Sequence, residues 1–281
     1  MKKIKQIGGQ AVIEGVLMVS SKKISIAVRT AKGKIKTLVK KRKPITEKYP
    51  ILKTPFIRGI FYLTEMLVVG IEALTWSANQ QEPEEKLGFL GLFLTFALAT
   101  ILTIGFFIIL PYFLAKIFFN PPSFAFNFMD GVFRLLVFFT YLFSIGLLKD
   151  IKRMFQYHGA EHMAVHCYEA GEKLTVKNAK KYAREHERCG TSFLIYVVII
   201  SILIFSFIRA KIWFLNILFR ILLIPAVAAV SYELLKLSAK CKKFFLCRLM
   251  ILPGLWTQKL TTKKPTDKQL EVSIKALKGA L

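Results

Sequence analysis

The chain concentrates its chemistry in one stretch, residues 157–192, which read YHGAEHMAVHCYEAGEKLTVKNAKKYAREHERCGTS. This stretch holds all four histidines of the 281-residue protein and lies between two long apolar blocks. It begins with the pattern H-x-x-E-H, the inverted form of the zinc-protease helix motif. In that motif two imidazoles one helical turn apart bind one ion, and the carboxylate polarises its water. We therefore expect a metal site here, positioned by the rest of the fold.

Helical geometry groups the candidate ligands on one face. At about 100° per residue, His158, Glu161, His162 and Glu169 fall within roughly a 100° sector. Glycine at position 159 weakens such a helix by about 1 kcal/mol relative to alanine, so tertiary contacts or a metal must compensate. The helix should end at Gly171, which suits a left-handed C-cap. The alternative is a solvated polar face whose histidines bind nothing.

The residue that completes the ligand set is left open by the sequence. Glu169 lies about 10 Å along the helix axis from His162, which favours His186 and Cys189 because their loop can fold back. Glu161 is placed to act as general base on a metal-bound water. Cys189 is also a candidate nucleophile beside a histidine, which is a different chemistry. Imidazole and thiolate ligands favour a divalent ion, and zinc above others.

Composition indicates a membrane protein with a sizeable polar part, since 54% of the residues are hydrophobic and 21% are charged. The net charge of +25 is explained by basic residues on the inner side of a membrane, beside anionic lipid headgroups. Residues 32–43 are strongly basic but carry no interleaved aromatic side chains, so we expect no nucleic acid partner. The four cysteines form no Cys-x-x-Cys pair, and we interpret them as reduced and cytosolic.

Four apolar segments predict an α-helical integral membrane protein with about four spanning helices. They cover residues 87–110 and 131–148 as a first pair within 87–148, and 193–208 and 214–235 as a second pair within 193–235. Residues 111–130 are predicted as a loop between the first two helices. Arg134 and Arg220 should lie toward the outer helix ends, where they snorkel or pair. Lys and Arg are abundant in residues 149–192 and at both termini, which predicts a multi-pass protein of the cell membrane with these parts cytoplasmic.

The cytoplasmic part is predicted to be α+β. Residues 12–20, 24–30 and 34–39 read as a β-meander, which an amphipathic helix over 56–78 follows within the N-terminal region 1–86. The basic C-terminal region 236–281 should end in an amphipathic helix over 267–277, with Thr266 or Asp267 as N-cap.

Two polar residues of the N-terminal region stand out in the glycine-rich segment 8–16. Gln10 and Glu14 are set among apolar residues and need partners if they are buried. We predict that one of them lies one hydrogen bond from His158, His162 or the metal, either orienting an imidazole or acting as a ligand. The competing interpretation is a β-strand with a solvated acid.

Several short sequence motifs that occur in one order along the chain together resemble those of the YqhQ-like family of bacterial membrane proteins. They are GGQAVIEGV at 8–16, YHGAEH at 157–162 with Tyr168-Glu169, HERCGTSF at 186–193, and SYE at 231–233. The resemblance runs nearly end to end and implies a metal-dependent enzyme of the bacterial inner membrane without an assigned reaction. Glu187 stands where the family pattern has proline, and Met163 where lysine is common, which puts the local loop geometry in doubt.

Two classes of function are consistent with these features. The first is a membrane-embedded, zinc-dependent hydrolase that acts at the cytoplasmic face on a lipid-linked substrate or a membrane-proximal peptide bond. The second is a non-enzymatic metal-binding assembly or scaffold protein. Transport is less well supported, because the predicted spanning segments carry few acids or histidines to form an ion path.

Overall fold

The computed structural model describes residues 7–81, 88–208, 210–241 and 244–281. Over these residues the protein is mostly helical, with one small antiparallel sheet near its N-terminus. The start of the first predicted span, at residue 87, and Arg209 of the predicted outer turn lie outside the described residues. The helices, in chain order, are α1 (Ile45–Lys48), α2 (Ile57–Gln81), α3 (Phe89–Ile104), α4 (Leu110–Phe118), α5 (Phe124–Ile145), α6 (Lys149–Glu169), α7 (Val176–Ala179), α8 (Gly190–Phe205), α9 (Trp213–Leu222), α10 (Ile224–Lys240), α11 (Phe245–Thr261) and α12 (Asp267–Ala280).

The predicted β-meander is confirmed as a four-stranded antiparallel sheet in chain order: β1 (Gly8–Val12), β2 (Gly15–Val19), β3 (Lys23–Arg29) and β4 (Ile35–Lys41). The expectation of a single strand over 12–20 is wrong, because Ile13 and Glu14 form a tight turn between β1 and β2. Glu14 has a positive φ of 53°, a conformation that a continuous strand does not contain. Its carboxylate therefore projects from a hairpin turn.

Helices cover both faces of the sheet, which explains why β2 is buried along its whole length. Val16 and Met18 pack into a cluster with α6 and α12, whereas Leu17 and Val19 pack toward α2 on the opposite face. Because successive side chains of a strand point to opposite faces, an apolar strand of this kind needs a helix on each side. This packing brings α6 against β1 and β2.

The predicted C-terminal helix is confirmed and extends to Ala280 as α12. Thr266 is its N-cap, and Gln269 completes a capping box in which each side chain binds the other residue's backbone N–H. The Ser273 hydroxyl donates to the carbonyl oxygen of Ala160 at 3.0 Å, which fixes α12 against the middle of α6.

Two helical segments are long and apolar enough to cross a bilayer, Phe93–Phe118 and Phe124–Ile145. A third candidate arises if α9 and α10, which are bent by 43° at their junction, form one span. The apolar helix α8 has only 16 residues. Two or three candidate spans within the described residues indicate association with a membrane, and the sequence prediction of four is not reached.

The predicted loop over 111–130 is largely wrong. A π-helical segment, Gly105–Ile109, joins α3 to α4, and Pro111 lies in the first turn of α4. Proline is tolerated there because a first-turn residue needs no backbone N–H donor. The first apolar helix therefore continues to Phe118, and α5 begins at Phe124, with Ser123 as its N-cap.

Arg134 and Arg220 are buried and paired, so the snorkelling that the sequence left open does not occur. Arg134 donates to the Oδ2 of Asp130 at 2.7 Å, and Arg220 pairs with the same carboxylate oxygen. Arg220 also binds Asn216 at 2.8 Å, and its guanidinium packs over aromatic rings. Asp130 therefore offsets two positive charges that come from different apolar helices.

The cysteines differ from the expectation of four reduced thiols. A disulfide joins Cys241, after α10, to Cys247 in α11, because the short connection brings their Cα atoms to 5.8 Å. Cys167 and Cys189 are free and buried.

Candidate metal centre

The predicted histidine helix forms as α6, and Gly159 allows another segment to approach it closely. A Cβ at Gly159 would lie 2.3 Å from the carbonyl oxygen of Lys263. The backbone N–H of Lys263 in turn donates to the carbonyl of Phe155 at 2.9 Å. This tertiary contact offsets the low helix propensity of glycine. It also places the end of α11 directly beside His158.

Both imidazoles of the motif are oriented by backbone carbonyls. The Nδ1 atom of His158 lies 2.8 Å from the carbonyl oxygen of Thr261, and that of His162 contacts the carbonyl oxygen of Arg184. Because a carbonyl can only accept, both Nδ1 atoms carry a proton, and in the neutral imidazoles the Nε2 atoms then hold the lone pair. Metal-binding histidines have this arrangement, in which the second ring nitrogen donates to a carbonyl or carboxylate.

Cys189 lies at the point to which these imidazoles are directed. Its Sγ is 3.1 Å from the Nε2 of His158, and one potential ligand atom each from His158, His162 and Cys189 lies within 4.8 Å of the others. Two imidazoles and one thiolate suit zinc. A tetrahedral ion held by three protein ligands keeps one position for water or substrate, as catalytic zinc sites do.

The protonation states favour metal binding. Burial lowers the pKa of His162, which favours its neutral form. Burial by itself would raise the pKa of Cys189, but the attraction of the thiolate to a protonated His162 and hydrogen bonds to the sulfur outweigh it, so the pKa falls below its usual value. One of these bonds comes from the backbone N–H of Thr191 at 3.3 Å, in the first turn of α8. The lowered pKa favours the thiolate, which is the form of cysteine that binds metal ions.

Glu161 is buried beside the same ligands. Its side chain is held against β1, since a Cβ on Gly9 would lie 2.8 Å from the Oε1 of Glu161. The Oε2 atom has no hydrogen-bond partner within the described part of the chain. Burial raises the pKa of Glu161 to about 8, with His158 opposing the rise and Cys189 adding to it. A carboxyl group of this kind can exchange a proton near neutral pH.

The other predicted ligands form a second group, in which His166, Glu169 and His186 lie within 4.8 Å of one another. The Nδ1 of His186 accepts the backbone N–H of Arg188 at 3.2 Å, so its proton lies on Nε2, 3.3 Å from the Oε2 of Glu169. Glu169 also forms an ion pair with the Arg188 guanidinium. Glu169 and His186 are thus held in a hydrogen-bonded network that lies about two helical turns beyond His162 along α6. They do not belong to the group formed by His158, His162 and Cys189.

Gln10 and Glu14 occupy different positions relative to this site. Glu14 pairs with the guanidinium of Arg153 and accepts the Tyr157 hydroxyl at 3.2 Å, so within the described residues its hydrogen bonds do not reach an imidazole. Gln10 packs beside Gly70 of α2 and lines the cavity next to the site. The segment 8–16 therefore reaches Glu161 through the backbone at Gly9, which the sequence analysis did not single out.

Sequence reasoning also missed the groups that hold the site together. The carbonyls of Thr261 and Arg184 leave no signal in the sequence, because every residue type has a carbonyl. Gln258 of α11 also left no signal, because it lies among other polar residues, between Thr257 and Lys259. Its Oε1 accepts the backbone N–H of His186 at 2.7 Å, and its Nε2 donates to the His186 carbonyl at 2.9 Å and to the Ser192 hydroxyl at 2.8 Å. It anchors the loop that carries Cys189.

A cavity of about 660 Å³ opens beside the site. Its lining includes His158, Glu161, His162 and Cys189. The rest of the lining comes from β1 and β2 and from mostly apolar side chains of α2, α6, α8 and α10. A few polar groups beside a mainly apolar pocket are typical of a ligand-binding site.

Comparison with known proteins gives a family without an assigned activity. The chain is 32% identical to the uncharacterized protein YqhQ of Bacillus subtilis (strain 168), in an alignment that covers 98% of this chain and 92% of that protein. No solved structure matches the chain. The family described as "Protein of unknown function (DUF1385)" matches residues 54–281. The chain that carries this site therefore belongs to the DUF1385 family and is YqhQ-like.

Proposed function

We propose that the protein is a membrane-embedded, zinc-dependent hydrolase, with His158, His162 and Cys189 as ligands and Glu161 as general base. The observation that carries the proposal is the orientation of the two imidazoles. Each gives its Nδ1 proton to a backbone carbonyl, so that both Nε2 lone pairs are available to an ion beside Cys189. Each lone pair can accept a hydrogen bond from the Cys189 thiol, which lies 3.1 Å from the Nε2 of His158, and a metal ion would take the place of that proton.

The residues divide the chemistry between them. Zinc, when bound, would polarise a carbonyl and lower the pKa of a bound water. Glu161 takes the proton from the attacking water at its unpartnered Oε2 atom and returns it to the leaving group. Its elevated pKa, about 8, suits both transfers. The β1 backbone at Gly9 keeps the carboxyl group in place between the two steps.

The orientation in the membrane is also part of the proposal. The protein is multi-pass, and its site and both termini lie on the cytoplasmic side, as the distribution of basic residues supports. The exposed lysines of β4, Lys36, Lys40 and Lys41, are suited to contact anionic lipid headgroups. In a cysteine-accessibility scan, a site introduced near Asn120 should react with an impermeant reagent from outside, and one near Lys180 only from inside. The reverse labelling pattern would refute this orientation.

A non-enzymatic metal site is the second candidate. The groups around His158 come from α6, the loop that precedes α8, and the end of α11. An ion there would clamp these segments together, as structural zinc does. Such a scaffold has no need of an unpartnered acid at the site, whereas Glu161 has one oxygen without a partner in the described structure.

Metal analysis of the purified protein tests the centre. Wild type, prepared without chelator, should contain about one zinc ion per chain. The double change His158→Ala, His162→Ala should remove it. His166→Ala is the matched control, because it alters the same helix but belongs to the second group. Zinc that survives the double change, or is lost equally in the control, would contradict the proposed ligand set.

Glu161→Gln separates enzyme from scaffold. A general acyl substrate such as p-nitrophenyl octanoate serves as the probe. The variant should retain zinc and thermal stability but lose at least about a hundredfold in hydrolysis, the usual contribution of a general base. Full hydrolysis in Glu161→Gln, with zinc still bound, would favour the scaffold.

A further inference from the structure

The cavity beside the metal centre is larger than an ion and a water require. Its volume of about 660 Å³ lies within the range of pockets that enclose most of a drug-sized ligand. The potential ligands of the candidate centre line this cavity together with Glu161, which is buried with one oxygen unpartnered in the described structure, and Gln10, Tyr62 and Tyr232 also line it. A molecule that fills the cavity therefore needs one reactive polar end and one extended apolar part.

Apolar side chains of three helices form part of the cavity wall. Leu63 and Met66 of α2 face it together with Leu235 of α10 and Leu194 of α8. Leu194 is 43% exposed, on an apolar helix. In a protein that associates with a bilayer, this wall adjoins the surface from which a hydrocarbon chain can enter.

We infer that the substrate of this site is an acyl amphiphile, an ester or amide whose carbonyl lies at Glu161 and whose hydrocarbon chain lies between α2 and α10. The inference rests on the proposed function and specifies its substrate class. Water adds to the carbonyl carbon, and Glu161 accepts the proton of that water. The bond from the acyl carbon to oxygen or nitrogen then breaks, and the leaving group departs with the proton from Glu161.

The charges of the cavity favour a carbonyl over a phosphoryl group. Phosphoryl transfer requires several cationic groups around the phosphate oxygens. Among the described residues that line the cavity, Arg188 carries the one permanent positive charge, and it is already paired with Glu169.

The distribution of polar groups also favours a hydrocarbon chain over a peptide. A bound peptide places N–H and C=O groups along its whole length, and each needs a partner once it is buried. Along the proposed path of the chain, the side chains of Leu63, Met66 and Leu235 offer none, although Gln10 and Tyr232 also line the cavity. A hydrocarbon chain has no such requirement, and its burial is favourable by about 0.8 kcal/mol per methylene.

Cobalt-substituted protein allows binding to be measured at the metal itself. n-Alkyl hydroxamates from acetyl to dodecanoyl mimic the acyl group and bind metal, so the cobalt absorption spectrum reports their occupancy. Leu235→Trp fills the proposed chain site. Leu237→Trp is the matched control, since Leu237 lies on α10, is 55% exposed and does not line the cavity. Partition into detergent cancels when wild type and variants are compared in the same micelles.

The affinity ratio of wild type to Leu235→Trp should be near one for acetohydroxamate. It should rise to roughly fifteenfold for the dodecanoyl compound, which corresponds to two displaced methylenes at about fourfold each. The control should stay near one at every chain length. A ratio that does not change with chain length would overturn the inference. The inference would also be overturned if Leu235→Trp weakened the binding of a tripeptide hydroxamate, Ala-Ala-Leu-NHOH, more than that of the dodecanoyl compound. That result would favour a peptide substrate.

A metal-independent measurement separates this inference from the proposed function. A diazirine-bearing dodecanoic acid, activated by light, should label α2 and α10 near Met66 and Leu235, with or without zinc. Leu235→Trp should reduce that labelling, and Leu237→Trp should not. If the cobalt-substituted protein shows no thiolate-to-cobalt absorption band but the labelling is intact, the proposed hydrolase function is refuted and the acyl-binding site is supported. Labelling confined to other segments would remove the acyl site.

Discussion

Replacing Gly159 by alanine tests whether the close packing of α6 against the end of α11 supports the site. The new Cβ would lie 2.3 Å from the carbonyl oxygen of Lys263, and ordinary contact begins at 3.4 Å, so that segment must retreat by about 1 Å. Overpacking of this kind costs about 1–3 kcal/mol, and the better helix propensity of alanine returns about 1 kcal/mol. We expect a net loss of about 0–2 kcal/mol in the free energy of unfolding.

Gly105→Ala is the matched control, because no atom lies within 4 Å of a Cβ at that position. It should gain up to about 1 kcal/mol from helix propensity, so the two variants should differ by about 1–3 kcal/mol. Thermal unfolding of both variants in the same detergent measures this difference.

Zinc affinity should fall in Gly159→Ala by about 10- to 100-fold, since the displaced segment carries the Thr261 carbonyl that orients His158. Competition with a chromophoric chelator measures it. The reasoning is refuted if Gly159→Ala is stabilised as much as Gly105→Ala and binds zinc as wild type does.

Two further predictions concern charges elsewhere in the molecule. Asp130→Asn leaves two buried guanidinium groups without their carboxylate and should lower the free energy of unfolding by about 3–5 kcal/mol. Glu271→Gln removes an exposed ion pair and should change the free energy of unfolding by less than about 1 kcal/mol. Equal shifts of the thermal unfolding temperature in the two variants would contradict this prediction. Hydrogen bonds from Tyr182 and Lys181 hold the pKa of Glu172 in the folded protein below its usual value. The ionised carboxylate therefore stabilises the fold above the pKa of the unfolded chain, about 4.3, and this stabilisation is lost as pH falls through the lower pKa of the folded protein. Wild type should thus be more stable than Glu172→Gln at pH 7 but not at pH 3, as urea unfolding would measure, and a difference independent of pH would contradict the assignment.

Residue patterns in the sequence predicted the elements whose formation depends on interactions between neighbouring residues of the chain. The helix around His158 and its end at Gly171 follow from side-chain periodicity and from the tolerance of glycine for positive φ, which is 73° here. The N-cap at Thr266 follows from its hydroxyl and the glutamine three residues later. These features need no knowledge of the tertiary fold.

The remaining features depended on contacts between distant segments. Glu14 was placed in a strand because its neighbours are apolar, and only the register of β1 against β2 makes it a turn residue. Pro111 suggested a loop, but the helix continues past it from a π-helical segment. The spacing of residues along an α-helix correctly placed Glu169 and His158 on one face. It did not predict the ion pair between Glu169 and Arg188, because Arg188 comes from a later loop.

The carbonyl of Thr261 that orients His158 also determines when the site can form. Synthesis proceeds from the N-terminus, so α6 with His158 and His162 is made about a hundred residues before Thr261, at 5–20 residues per second. For several seconds the nascent chain carries two histidines that lack the partner which fixes the His158 tautomer. The geometry suited to an ion is therefore complete only after α11 has been synthesised and has packed against α6, so an ion that binds there would be captured after the fold around it is in place.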